Sequence, residues 1–268
     1  MNFLPTEIVN EIVLVLDKPG LYFASQVCKQ WRQLALKQVK SLTTTKDFIK
    51  ACKIGDQLSI INCKFNKNWL NYGLKAACQG GHKALVQLMI IQGANDWNLG
   101  LFCACKGKSK KLVKLMITCG ANDWNLGLYG ACQSGHKIFM ELMITYGAND
   151  WNLGLYGACQ GGHKIFMELM ITYGATDWNG GFAGACSRGH KTLVEVMIAY
   201  GATDWNRALA RACQGGHKEL ANLMITYGAT DWNRGLLHAC SKDRKVLVEL
   251  MITKGANECY CGKNILQH

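Results

Sequence analysis

Proline is almost missing from this chain. Only Pro5 and Pro19 occur in 268 residues. Long apolar runs are missing too: none approaches the roughly 18 to 20 residues that a bilayer-spanning helix needs. The N-terminus has no basic stretch ahead of an apolar run and carries Glu7 and Glu11 early, so no secretory signal is expected. A cytoplasmic protein is the expectation, with the nucleus open. Acidic residues are the minority, 18 against 30 basic ones, for a formal charge of +12. No phosphate loop, nucleophile motif or paired-carboxylate constellation occurs. The expectation is a non-enzyme with no cofactor and no metal.

What is present is repetition. Tryptophan recurs every 27 residues at Trp97, Trp124, Trp151, Trp178, Trp205 and Trp232, with Trp69 one residue out of step before them. Residues 123 to 148 and 150 to 175 differ only at Ser134 against Gly161. The chain is therefore a stack of copies of one unit, extended by duplication. An apolar content of 49% with 18% charged residues suits a packed array rather than a disordered chain. Fourteen cysteines could suggest disulfides, but seven are one repeated position, Cys78, Cys105, Cys132, Cys159, Cys186, Cys213 and Cys240. Each follows alanine on an apolar stripe, which reads as small core residues with free thiols.

Each unit offers two helices. The first is expected from about Asp150 to Cys159, with Asn149 (Thr176 in the next copy) as the N-cap and Asp150 in the first turn. Trp151, Leu155, Ala158 and Cys159 form its helical stripe, and Gly161 and Gly162 end it. The second is expected over Lys164 to Tyr173, with Ile165, Phe166, Leu169, Met170 and Tyr173 on one broad face and Gly174 closing it. Neither is long enough to be stable alone, so stacking must supply the burial.

Gly189 to Ala202, a variant of Gly-His-Lys-x-Leu-Val-x-Leu-Met-Ile-x-x-Gly-Ala, resembles the second half of an ankyrin repeat. Leu155-x-x-Ala158-Cys159 is similar to that family's Leu-His-x-Ala-Ala. The resemblance covers seven units over residues 68 to 257. It departs in length, 27 residues against about 33, and in lacking the Thr-Pro-Leu-His start. The missing residues fall where the family's β-hairpin finger would lie, between Ala148 and Leu155. The resemblance therefore implies an all-α helical-repeat solenoid of ankyrin-like helix pairs, with fingers reduced or absent. Residues 41 to 67 read as a connector and degenerate capping copy, and 258 to 268 as a tail.

Residues 1 to 40 do not share the repeat. Ile8, Ile12 and Val15 or Leu16 make a helical stripe after Pro5, and three short helices in forty residues bury too little surface to stand alone. Leu4-Pro5-Thr6-Glu7-Ile8-Val9 and Val27-Cys28-Lys29-Gln30-Trp31-Arg32-Gln33-Leu34-Ala35 closely resemble the two ends of an F-box, the three-helix module that docks the Skp adaptor of cullin-based ubiquitin ligases. By that resemblance Leu4, Pro5, Ile8, Ile12, Leu16, Val27 and Trp31 would face or support the adaptor. An F-box followed by ankyrin-like repeats is similar to arrays encoded by large DNA viruses that redirect host ubiquitination. The implied role is a target-recognition subunit, with Skp adaptor and cullin as partners. A ligase-independent scaffold or decoy is the alternative, and a basic nucleic-acid binder the least favoured reading.

Two recurrent signals resemble sites. Cys159 and His163, like four other such pairs, are four apart, but the helix ends at glycine between them, and zinc needs four convergent ligands. The histidine is expected instead to tie one connection to its neighbour. The lysine row Lys83 to Lys245 reads as a solvated face. Arginine is more informative: five of six lie late, at Arg188, Arg207, Arg211, Arg234 and Arg244. Arg207 takes the place of Leu126 and Leu153, while Ala183 and Ala210 take that of Tyr129 and Tyr156. The face thus changes from apolar to cationic along the array. Leu126, Tyr129, Leu153, Tyr156, Arg188, Arg207, Arg211 and Arg234 are accordingly the candidate target-binding residues, suited to a protein with an acidic patch.

Overall fold

The computed structural model describes residues 42–61, 63 and 67–257. The seven adaptor-facing candidates from Leu4 to Trp31 and the 258–268 tail lie outside the described residues. Among the described residues the chain forms sixteen helices and no strand. In the order of the chain these are α1 (Thr45–Ile54), α2 (Gln57–Ile61), α3 (Lys67–Gly80), α4 (Lys83–Ile91), α5 (Trp97–Lys106), α6 (Lys110–Thr118), α7 (Trp124–Ser134) and α8 (Lys137–Thr145). There follow α9 (Trp151–Gly161), α10 (Lys164–Thr172), α11 (Trp178–Arg188), α12 (Lys191–Ala199), α13 (Trp205–Gly215), α14 (Lys218–Thr226), α15 (Trp232–Ser241) and α16 (Lys245–Thr253). The fold class is all-α, built from ankyrin-like helix pairs without the β-hairpin. Two compact units divide between Asn122 and Asp123.

The start of each first helix differs by one residue from the sequence expectation. Asp150, not Asn149, is the N-cap of α9, its carboxylate accepting from the Leu153 N–H at 2.9 Å. Asp96, Asp123, Asp177, Asp204 and Asp231 do the same at the other first helices. A charged acceptor both satisfies a helix-terminal N–H and meets the positive end of the helix dipole. The end is also shifted: Gly161 still belongs to α9, and Gly162 alone takes the left-handed conformation that caps it, at φ +79°.

Burial follows the repeat. In α9 the residues Gly154, Leu155, Gly157, Ala158 and Cys159 are buried, and in α10 Met167 and Met170. Within the second compact unit, successive first helices α7, α9, α11, α13 and α15 pack directly against one another, while each second helix packs on its own first helix. Glycine permits that approach. A Cβ at Gly157 would stand 2.7 Å from both Cδ2 and the carbonyl oxygen of Tyr129. The recurring cysteines sit in this dry seam, and burial pushes the Cys132, Cys159, Cys186 and Cys213 thiols up to about 12. None of the eleven described cysteines is in a disulfide. Protonated buried thiols pack as small apolar groups and are poor nucleophiles.

Two polar side chains fasten one helix pair to the next. The imidazole Nε2–H of His190 donates to the carbonyl of Gln160 at 3.3 Å, and that of His82 to the carbonyl of Lys53 at 3.0 Å, satisfying carbonyls at helix ends. The ring of His190 lies so close to Gly162 that a Cβ there would come within 2.7 Å of it. The asparagine after each tryptophan makes the second tie. Asn152 Oδ1 accepts from the N–H groups of Thr176 (2.7 Å) and Asp177 (2.8 Å), one unit on. Asn125, Asn179 and Asn206 repeat the geometry. The Trp151 ring then packs at a 30° tilt against Tyr173, with centroids 5.0 Å apart, closing the open end of its own helix pair.

Candidate functional site

The candidate target-binding residues lie on the first helices, and the structure sorts them into two neighbourhoods within the second compact unit. The earlier is aromatic and amide-lined. Tyr129 and Tyr156 approach at 5.8 Å between ring centroids. The Tyr129 hydroxyl donates to Gln160 Oε1 at 2.7 Å, and the Gln160 amide donates to the Tyr156 hydroxyl at 3.4 Å. Gln133 donates to both the Tyr129 hydroxyl and Gln160 Oε1. Burial, with Tyr156 beside it, raises the Tyr129 pKa, and the Arg188 guanidinium opposes that shift. Leu126 and Leu153 are half-buried on the same helices, and Arg188 is exposed at the end of α11.

The tyrosines also have a packing role. The Tyr129 ring covers Gly157 of the following first helix, and Tyr156 in turn covers Gly184, where a Cβ would stand 3.2 Å from its ring. Where Ala183 and Ala210 replace the tyrosine, the following helix carries Arg211 and His238 in place of the glycine. A large side chain on one helix is thus exchanged for one on the next. The change from aromatic to cationic along the array is therefore size-compensated.

The later neighbourhood is cationic. Arg207 and Arg211 stand one turn apart on α13, and Arg234 and His238 at the same two positions on α15. Arg234 is exposed and the other three are half-buried. Arg211 donates from Nη1 to Gln214 Oε1 at 2.9 Å. Among the described residues no carboxylate lies within ion-pair reach of Arg188, Arg207, Arg211 or Arg234. Asp204 and Asp231, at the starts of these helices, accept from backbone N–H groups instead. Burial, then the charges of Arg211 and Arg234, lower the His238 pKa from its ordinary 6.5. His238 was not among the residues singled out from sequence. The signal that finds it is its equivalence to Arg211, 27 residues earlier.

The lysine row is a separate feature at the starts of the second helices, where Lys137 and Lys164 pair with Glu141 (3.6 Å) and Glu168 (3.7 Å) on solvent-exposed faces. Among the described residues no group of three or more His, Cys, Asp or Glu is placed to hold a metal ion, and no helix is long and apolar enough to cross a membrane.

No protein-family model and no curated protein matches the chain. Among solved structures it is similar to the human ASB11 ankyrin repeat domain, with 19% identity over 69% of this chain and 99% of that one, at a TM-score of 0.37.

Proposed function

We propose that this chain is a non-catalytic protein-binding array and that it serves as the target-recognition subunit of a Skp–cullin–F-box ubiquitin ligase. The observation that supports binding is the separation between a repeated interior and a varying, partly exposed face. Leu155, Ala158 and Cys159 recur almost unchanged in every unit, whereas Leu126 and Leu153 give way to Arg207 and Arg234, Tyr129 and Tyr156 to Ala183 and Ala210, and Gly157 to Arg211. Repeat arrays bind through such varying positions on a constant frame. Arginines on that face with no carboxylate of the described residues in ion-pair reach favour a target with an acidic patch. The ligase half of the proposal rests on the two motifs within residues 1 to 40, with Leu4, Pro5, Ile8, Ile12, Leu16, Val27 and Trp31 meeting the adaptor. The contribution to ubiquitin transfer is then proximity, holding a target at high effective concentration beside a charged cullin complex.

Purified Skp adaptor and cullin mixed with the full chain, beside a Leu4, Pro5 and Trp31 triple-alanine variant, is the direct test. Capture of adaptor and cullin by the native chain, lost in a variant of unchanged helical circular dichroism, supports the receptor reading. A folded native chain that captures neither subunit is a ligase-independent scaffold.

A further inference from the structure

The cationic neighbourhood on α13 and α15 has a geometry that narrows the kind of target. Residues four apart on a helix have Cβ atoms roughly 5–6 Å apart, and packed helices lie roughly 8–10 Å apart. Arg207, Arg211, Arg234 and His238 therefore stand at the corners of a small quadrilateral on two helices that pack together. The charges of Arg211 and Arg234 both act on His238, which places the three side chains in one electrostatic neighbourhood. Among the described residues, none of the three guanidiniums has a carboxylate in ion-pair reach.

We infer that Arg207, Arg211, Arg234 and His238 form one anion-binding patch that takes successive carboxylates of an acidic peptide segment. The inference rests on the protein-binding reading above and is independent of the ligase reading. A guanidinium pairs with a carboxylate through two parallel N–H···O bonds, so three of them on two helices suit a run of carboxylates better than one. Leu237, 37% exposed beside the patch, gives such a segment an apolar contact. Nucleic acid suits the face less well. The patch is confined to two helix pairs, and the earlier first helices carry Leu126, Leu153 and the tyrosines Tyr129 and Tyr156, both hydrogen-bonded to Gln160, where a phosphate track would need cations.

His238 gives the patch a signature that charge alone lacks. The groups acting on it are Arg211 from the neighbouring α13 and Arg234 on its own helix, both of which disfavour its charged form. A carboxylate arriving beside it offsets that repulsion, so binding takes up a proton and tightens as pH falls, while the peptide's own carboxylates stay ionised.

The test is fluorescence anisotropy of the full chain with a labelled oligoglutamate peptide at pH 8 and pH 6. A single-stranded oligonucleotide of equal length is the competitor. The native chain binds the peptide several-fold more tightly at pH 6 than at pH 8. Arg211→Gln with Arg234→Gln weakens binding at least tenfold, and His238→Gln abolishes the difference in affinity between pH 6 and pH 8. Arg211→Lys with Arg234→Lys keeps the charge and recovers part of the affinity, which separates loss of the site from loss of fold. Equal weakening by Lys137→Gln with Lys164→Gln, on the second helices, would overturn the inference, as would preferential binding of the oligonucleotide. A protein target captured by the array that is held unchanged by the double arginine variant would overturn the patch while leaving the protein-binding reading intact.

Discussion

Gly154 and Gly157 are both buried in α9, yet they carry different constraints. A Cβ at Gly154 meets the flexible end of Met170, and the same position in the α13 copy is already Ala208, buried and accommodated. A Cβ at Gly157 meets the Tyr129 ring, and the later copies that carry a side chain there, Arg211 and His238, follow Ala183 and Ala210 in place of the tyrosine. Gly154→Ala is expected to leave stability within about 1 kcal/mol of the native value, helix propensity offsetting a small rearrangement. Gly157→Ala is expected to cost about 1–3 kcal/mol through overpacking, read from urea unfolding, and Tyr129→Ala in the same chain to restore part of it. Ionisation acts at this scale as well. His217 and His238 both have pKa values held below the ordinary 6.5, chiefly by burial. The unfolded chain then binds protons more readily, so their contribution is complete above about pH 6.5 and is lost as pH falls below it. The urea midpoint should drop between pH 7.5 and pH 5.5, and drop less in a chain carrying His217→Gln and His238→Gln.

At the scale of the helix and its connections, each first helix depends on a cap from its own unit and a tie from the unit before. Asp150→Ala removes the acceptor of the Leu153 N–H and should cost about 1 kcal/mol. Asn152→Ala removes two bonds that join α9 to the connection before α11, and should cost roughly 0.5–1.5 kcal/mol because water reaches these exposed N–H groups. Hydrogen exchange at Thr176 and Asp177 is the sharper measurement, since faster exchange there with α9 still protected marks the tie itself. The helices were legible because Trp151, Leu155, Ala158 and Cys159 keep a helical period and glycine punctuates them. The caps were not, because Asn149 and Asp150 are both good capping residues and nothing local ranks them. Asn125, 24 residues earlier, holds the N–H groups of both residues, at 2.8 and 2.9 Å, and in that placement it is the Asp150 carboxylate that reaches the Leu153 N–H. Likewise the arginine gradient was visible in the sequence, but not its coupling to Gly157 and Gly184, which depends on which side chains face each other across two helices. His238 joined the patch for the same reason.

At the scale of the whole array, the period is a mechanical specification. Deleting Asp150–Thr176 joins Asn149 to Asp177, so the Asn125 side chain meets an equivalent pair of N–H groups, and Asp177 still caps α11. That shortened chain should fold, with a lower urea midpoint reflecting the loss of one unit and its interface. Deleting Asp150–Asn179 removes the cap and Trp178 as well, and should abolish cooperative unfolding in residues 123–257, measured by circular dichroism. The sameness that makes the first deletion tolerable also makes pairing ambiguous. α8 and α10 have the identical sequence Lys-Ile-Phe-Met-Glu-Leu-Met-Ile-Thr, and α7 and α9 differ only in their last residue. A collapsing chain therefore meets two almost degenerate registers there, and at high concentration a neighbouring molecule offers the same surfaces. Refolding should accordingly carry a slow, concentration-dependent phase of exchanged pairings, relieved when the twin units are made unlike.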